Sequence, residues 1–101
     1  MLTPVRILVT GATSSLGSVV LQSLKRLGHG VVGTYRTVPR SQQLVNLDGL
    51  VQIDLSDYSG FRRLPRDFDA IVHVAALSEG GMAELMRSNF LATLNLLDYA
   101  E

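Results

Sequence analysis

The sequence predicts an α/β fold, a doubly wound open parallel sheet, and three observations carry that prediction. Four short runs rich in Val and Ile, Val5–Val9, Val31–Tyr35, Val51–Leu55 and Ala70–Ala75, are mostly continuous and not alternating, as suits strands covered on both faces. Two other stretches carry apolar residues at three- and four-residue steps, the period of an amphipathic helix. The resulting order, β, α, β, weak α, β, connection, β, α, is that of strands joined by crossovers.

Taken in order, Val5–Val9 reads as the first strand. Arg6 stands inside the short apolar opening and Gly11 follows at once, unlike the charged, apolar and cleavage regions of a signal peptide. Ser14–Leu27 reads as a helix whose stripe of Leu16, Val19, Val20, Leu24 and Leu27 packs on the sheet, closed by Gly28. Pro39–Gly49 is either one short helix over Ser41–Leu47 or a loop. Asp57–Arg66 is a connection with a helical turn, and Pro65-Arg66-Asp67 is a turn with no function. Gly80–Glu101 carries Leu85, Met86, Phe90, Leu94 and Leu97 at helical steps and runs to the chain end without a stop signal.

Composition narrows the function classes. The 101 residues carry 9 Lys+Arg against 9 Asp+Glu, 47% apolar side chains and no cysteine or tryptophan, which bounds the chain to one domain with a thin core. Zero net charge leaves nothing to drive binding to nucleic acid or anionic lipid, so neither is expected as a partner. No apolar run approaches the ~20 residues that span a bilayer. Without cysteine there is no disulfide, thiolate nucleophile or zinc-thiolate site, a weak pointer to the cytoplasm.

The strongest signal is Thr10-Gly11-Ala12-Thr13-Ser14-Ser15-Leu16-Gly17, set between a predicted strand and a predicted helix. A diphosphate needs a tight turn, backbone that approaches without a Cβ in the way, and free N–H groups at a helix start. Gly11 and Gly17 supply the turn and the close packing; Thr13, Ser14, Ser15 and Leu16 supply donors. A second signal is Gly33-Thr34-Tyr35-Arg36-Thr37, where an NAD-preferring strand end presents an acid to the ribose. No acid stands there, and the fork of Arg36 suits a 2′-phosphate, which favours NADP and leaves NAD as the alternative.

These motifs resemble the extended branch of the short-chain dehydrogenase/reductase superfamily, and the chain is similar over nearly its whole length to the cofactor-binding portion of the NAD(P)-dependent epimerase/dehydratase family. Ser14 stands where that branch has its middle glycine, which implies weaker or slightly displaced cofactor binding. The resemblance further implies that Asp54 and Leu55 hold the adenine, with Asp54 accepting from its amino group; an Asp that caps the next helical turn is the competing reading. Asp69-Ala70-Ile71-Val72-His73-Val74-Ala75-Ala76 resembles the fourth strand of the same branch, in which the small Ala75 and Ala76 pass under the nicotinamide ribose. His73 reads as a hydrogen-bonded core histidine and not as a catalytic base. Ser88-Asn89-Phe90 to Leu97 resembles the following helix, with Asn89 on its buried stripe as structural support. Glu79, Gly80, Gly81 and Glu84 fall in a solvated loop near the reactive end.

The resemblance implies a Rossmann-like sheet of which this is the N-terminal half, about four strands of a larger fold, truncated at the C-terminal end. The family moves a proton with a tyrosine and a lysine four residues later. Here the only lysine is Lys25, four residues after Leu21, and Tyr99 has no position 103. The expected function is therefore the dinucleotide-binding portion of an oxidoreductase, epimerase or dehydratase, inactive by itself, acting in the complete enzyme by hydride transfer on a nucleotide-sugar-like or other carbonyl or hydroxyl substrate. The missing C-terminal portion or another chain would cover the exposed sheet edge. The alternatives are a non-catalytic NADP-sensing module that binds a protein partner and an α/β domain that binds no nucleotide.

Overall fold

The computed structural model describes residues 4–36, 49–75 and 81–100. Within them the chain runs β1 (Arg6–Thr10), α1 (Ser15–Arg26), β2 (Gly30–Tyr35), β3 (Leu50–Gln52), a 3₁₀ turn (Tyr58–Arg63), β4 (Ala70–His73) and α2 (Met82–Ala100). The alternative helix or loop over Ser41–Leu47 lies outside the described residues.

The described strands form one parallel sheet in the order β3-β2-β1-β4. Ile7 is level with Val31 of β2 and Ala70 of β4, and Thr34 is level with Val51 of β3. Because every strand runs the same way, Thr10, Tyr35, Gln52 and His73 all end on one edge of the sheet. At the opposite edge β1 and β4 are joined by a reciprocal pair: Arg6 N–H donates to Asp69 Oδ2 and Asp69 N–H to the Arg6 carbonyl, both at 2.8 Å. β3 and β4 stop earlier than the expected runs, because Ile53 and Leu55 turn into the core and Val74 and Ala75 leave the ladder for the Thr10 hydroxyl.

Alternation along β1 divides the core. Ile7 and Val9 join Ala12, Leu21 and Val31 under α1, while Leu8 joins Ile53, Leu55, Phe61, Leu64, Leu96 and Tyr99 on the other face. The buried phenol of Tyr99 donates to the Pro65 carbonyl, and the Arg66 guanidinium lies 5.4 Å from the centre of its ring. α1 is capped at both ends. Ser14 is its N-cap; at the other end Gly28, at φ +91°, donates to the Lys25 carbonyl and His29 to the Leu24 carbonyl, the paired bonds of a Schellman turn.

Two expected stripes are corrected. On α1 the face against the sheet is Gly17, Val20, Leu21 and Leu24, while Leu16, Val19 and Leu27 are more than half exposed. On α2 the buried residues are Leu96 and Tyr99, and Met86, Phe90, Leu94 and Leu97 lie on the outward face. On α1, Val20 and Leu24 of the expected stripe do face the sheet; the rest of the facing differs because apolar residues recur at helical steps on the outward row as well as on the buried one. Among the described residues no helix is long and apolar enough to cross a membrane.

Candidate functional site

β1 lies between β2 and β4 in the sheet: the chain leaving β1 crosses to β2 on one side, whereas the chain leaving β3 comes back across to β4 on the other, and this reversal of strand order opens a crevice at the carboxyl end of β1. The glycine turn sits in that crevice. Gly11, at φ +66°, occupies the left-handed region, and a Cβ on it would stand 2.8 Å from the Ala75 nitrogen. A Cβ on the buried Gly17 would stand 1.9 Å from the Gly11 carbonyl oxygen. The turn is therefore pressed against the end of β4 on one side and the first turn of α1 on the other, with no room for a methyl group at either glycine. Ala12 N–H donates to the Thr34 carbonyl at 2.9 Å and ties the turn to β2.

Ser14 takes a different place from the one its position implies. Its hydroxyl points into the turn, donating to the Gly11 carbonyl at 2.8 Å and accepting Gly17 N–H at 3.0 Å. The serine thus caps α1 from within. The N–H groups of Thr13, Ser15 and Leu16 have no partner among the described residues. Ser15 is exposed at the first helical position, and Leu16 beside it is 63% exposed. Free donors, a helix dipole and two sterically required glycines are the features that suit a turn to an anion.

Arg36 follows β2, exposed, with its carbonyl accepting from Gln52 Nε2 at 3.2 Å. Asp54 stands just beyond β3, and its Oδ1 accepts the Ser56 N–H at 3.0 Å and the Ser56 hydroxyl at 2.7 Å. The Ser56 hydroxyl is the main reason its carboxyl sits below the usual carboxylate range; partial burial opposes this, and the Ser56 N–H and the charge of Arg36 reinforce it. Asp54 closes a local turn, whereas the cap of the 3₁₀ turn is Asp57, which accepts from Ser59. The Leu55 side chain is buried in the core, so any contact it makes at the crevice is through its backbone.

Thr10 and His73 were not among the candidate ligands, yet they organise the crevice. Thr10 is wholly buried, and its Oγ1 accepts Val74 N–H at 3.0 Å and Ala75 N–H at 3.1 Å. It also lies 2.7 Å from His73 Nδ1, while His73 Nε2 faces the Thr93 hydroxyl at 3.4 Å. His73 is hydrogen-bonded as expected but stands at the surface and not in the core; partial burial lowers its pKa below 6.5. The signal for Thr10 was a hydroxyl residue closing a strand immediately before a glycine. Gly33, which opens the second signal, has a steric role that the sequence does not show: a Cβ there would meet the Ala12 Cβ at 2.6 Å and Leu21 Cδ1 at 2.8 Å. Ala75 is half-buried against Gly11; Ala76, Glu79 and Gly80 lie outside the described residues. Gly81 and Glu84 are exposed at the start of α2, and Lys25 is in the last turn of α1, away from the crevice.

Residues 7–101 match the model of the family described as the NAD dependent epimerase/dehydratase family. The chain belongs to that family. Its sheet is the N-terminal part of the Rossmann-like fold shared by solved epimerases and dehydrogenases. A UDP-galactose 4-epimerase is 30% identical with a TM-score of 0.77, over 94% of this chain and 33% of its own. A uronate dehydrogenase variant from Agrobacterium tumefaciens, solved in complex with NAD, is 26% identical with a TM-score of 0.73, over 97% of this chain and 37% of its own. L-threonine dehydrogenase from Clostridium difficile, 24% identical with a TM-score of 0.83 over 97% of this chain and 34% of its own, shares the fold. The chain thus spans about a third of the length of these structures. No curated protein matches it.

Proposed function

We propose that these 101 residues are the dinucleotide-binding part of an oxidoreductase of the epimerase/dehydratase kind, with NADP favoured over NAD. The observation that carries this reading is the turn between β1 and α1. Its two glycines have no space for a Cβ, and Ser14 withdraws its hydroxyl into the turn, leaving the N–H groups of Thr13, Ser15 and Leu16 available for a diphosphate. The residues fit the cofactor despite the serine in place of the middle glycine.

In this reading Arg36 takes the 2′-phosphate, Asp54 accepts from the adenine amino group, and the Leu55 backbone adjoins the ring. Ala75 and Ala76 would adjoin the nicotinamide ribose. When bound, the nicotinamide would supply or accept a hydride at a carbinol or carbonyl carbon. The chain's own residues bind and orient; the 101 residues hold no tyrosine followed four residues later by lysine, so turnover by them alone is not expected. The family and its UDP-galactose 4-epimerase and uronate dehydrogenase relatives support a nucleotide-sugar-like or other hydroxyl or carbonyl substrate. A further strand on the outer edge of β4, from elsewhere in the protein or from another chain, and a cytoplasmic setting belong to the same reading.

Calorimetric titration with NADPH and NADH tests it. Saturable binding is expected, tighter for NADPH, with Arg36→Ala erasing the difference between the two. Binding of neither dinucleotide would refute the function, and an unchanged preference in Arg36→Ala would remove Arg36 from it.

A further inference from the structure

A hydroxyl group has two lone pairs and one hydrogen. At Thr10 both lone pairs face backbone donors, the N–H groups of Val74 and Ala75 at 3.0 and 3.1 Å. The hydroxyl hydrogen is then the one that spans the 2.7 Å to His73 Nδ1. Nδ1 is the acceptor, and the ring is neutral with its proton on Nε2, turned toward the Thr93 hydroxyl. A proton on Nδ1 would set two donors against each other, and Thr10 would have to give up at least one backbone N–H to accept from the ring.

Those backbone groups abut the glycine turn. The space a Cβ on Gly11 would need is filled by the Ala75 nitrogen at 2.8 Å, the Ala75 Cα at 2.9 Å and the Val74 carbonyl carbon at 3.2 Å. Any shift of the Val74–Ala75 peptide therefore moves the wall on which Gly11 rests. We propose that neutral His73 is a positioning residue of the dinucleotide site, acting through the Thr10 hydroxyl on the Val74–Ala75 backbone that braces Gly11. This rests on the function proposed above.

Around the imidazole, β1 presents the Thr10 hydroxyl and α2 the Thr93 hydroxyl, neither of which titrates in the accessible range. No Asp, Glu, Lys or Arg among the described residues acts on its titration, which partial burial alone displaces downward. Dinucleotide affinity is accordingly expected to be full above the histidine range and to fall as the pH drops below 6.5 through the lowered pKa.

The experiment has two arms. Without ligand, nitrogen NMR at about pH 8 is expected to show Nδ1 bare and Nε2 protonated, and hydrogen exchange at Val74 and Ala75 is expected to be faster in His73→Leu than in the wild type. A proton on Nδ1, or unchanged exchange, overturns the proposal. The second arm titrates NAD⁺ across the histidine range; NADP⁺ is avoided because its phosphomonoester itself titrates near pH 6. Affinity should fall roughly three- to tenfold on acidification, about the worth of one hydrogen bond. His73→Leu should bind weakly at every pH, and His73→Asn, which offers an amide oxygen near the Nδ1 position but cannot titrate, should recover most of the affinity and flatten the pH profile. His73→Leu binding like the wild type, or His73→Asn keeping the wild-type slope, overturns the proposal. Absence of NAD⁺ binding with a bare Nδ1 and protected amides would refute the cofactor reading and the role built on it while upholding the hydrogen-bond assignment, so the two failures are distinguishable.

Discussion

Thr10 Oγ1 lies 2.7 Å from His73 Nδ1 while accepting the N–H groups of Val74 and Ala75. One buried hydroxyl thus closes the ladder between β1 and β4 where the strands end. Replacing Thr10 by the near-isosteric valine keeps the volume and leaves both N–H groups without their acceptor. The expected loss is about 2 to 4 kcal/mol of stability, from two partly buried donors at ~1–3 kcal/mol each with some recovery by water. Denaturant unfolding checks it; a loss under about 0.5 kcal/mol would mean the hydroxyl carries no structural weight.

Gly17→Ala is expected to be far more costly than an ordinary glycine-to-alanine change in a helix. Alanine has the better helix propensity by about 1 kcal/mol, yet its Cβ would stand 1.9 Å from a backbone carbonyl oxygen that cannot rotate away. A net loss of roughly 1 to 3 kcal/mol is expected, together with weakened dinucleotide binding. Gly81→Ala, with nothing within 4 Å of its Cβ, is the control and should change little.

Ser14 separates capping from cofactor approach. Ser14→Ala removes the oxygen that accepts Gly17 N–H and should cost about 1 kcal/mol, whereas Ser14→Gly should cost only a few tenths. Because the hydroxyl already faces inward, Ser14→Gly is expected to bind dinucleotide at least as tightly as the wild type, measured by calorimetry. A large loss of affinity in Ser14→Gly would show that the serine contacts the ligand.

Much of this arrangement was legible in the residues, for identifiable reasons. The parallel sheet followed from continuous Val/Ile runs, and the turn from Gly11 and Gly17 between a strand and a helix. The facing of α1 and α2 was not legible, since Leu16, Val19, Phe90 and Leu97 satisfy helical periodicity as well as the buried rows do, and only the tertiary partners decide. Nor was the inward turn of the Ser14 hydroxyl, a choice of side-chain rotamer. That Thr10 is the partner of His73, Val74 and Ala75 was not legible either, because the bonds that join them connect positions 63 to 65 residues apart in the chain.

Asp54 gives a pH dependence at the acid end. Its carboxyl is held below 3.8 chiefly by the Ser56 hydroxyl, so the unfolded chain binds the proton first. Its contribution is full above the unfolded value and is lost as the pH falls through the folded one. Asp54→Asn should therefore flatten the decline in melting temperature across that acid window. An identical decline in the variant would show that Asp54 is not coupled to folding.

The central claim is that the amides of the glycine turn grip a diphosphate, and the most direct measurement is an amide-resolved NMR titration of the isotope-labelled protein with NADPH. Saturable shifts are expected at Thr13, Ser15 and Leu16, with Arg36 and Asp54 responding at the same ligand concentration. A folded protein whose turn amides stay still while NADPH is raised to millimolar levels, or whose shifts gather on another face, would contradict it.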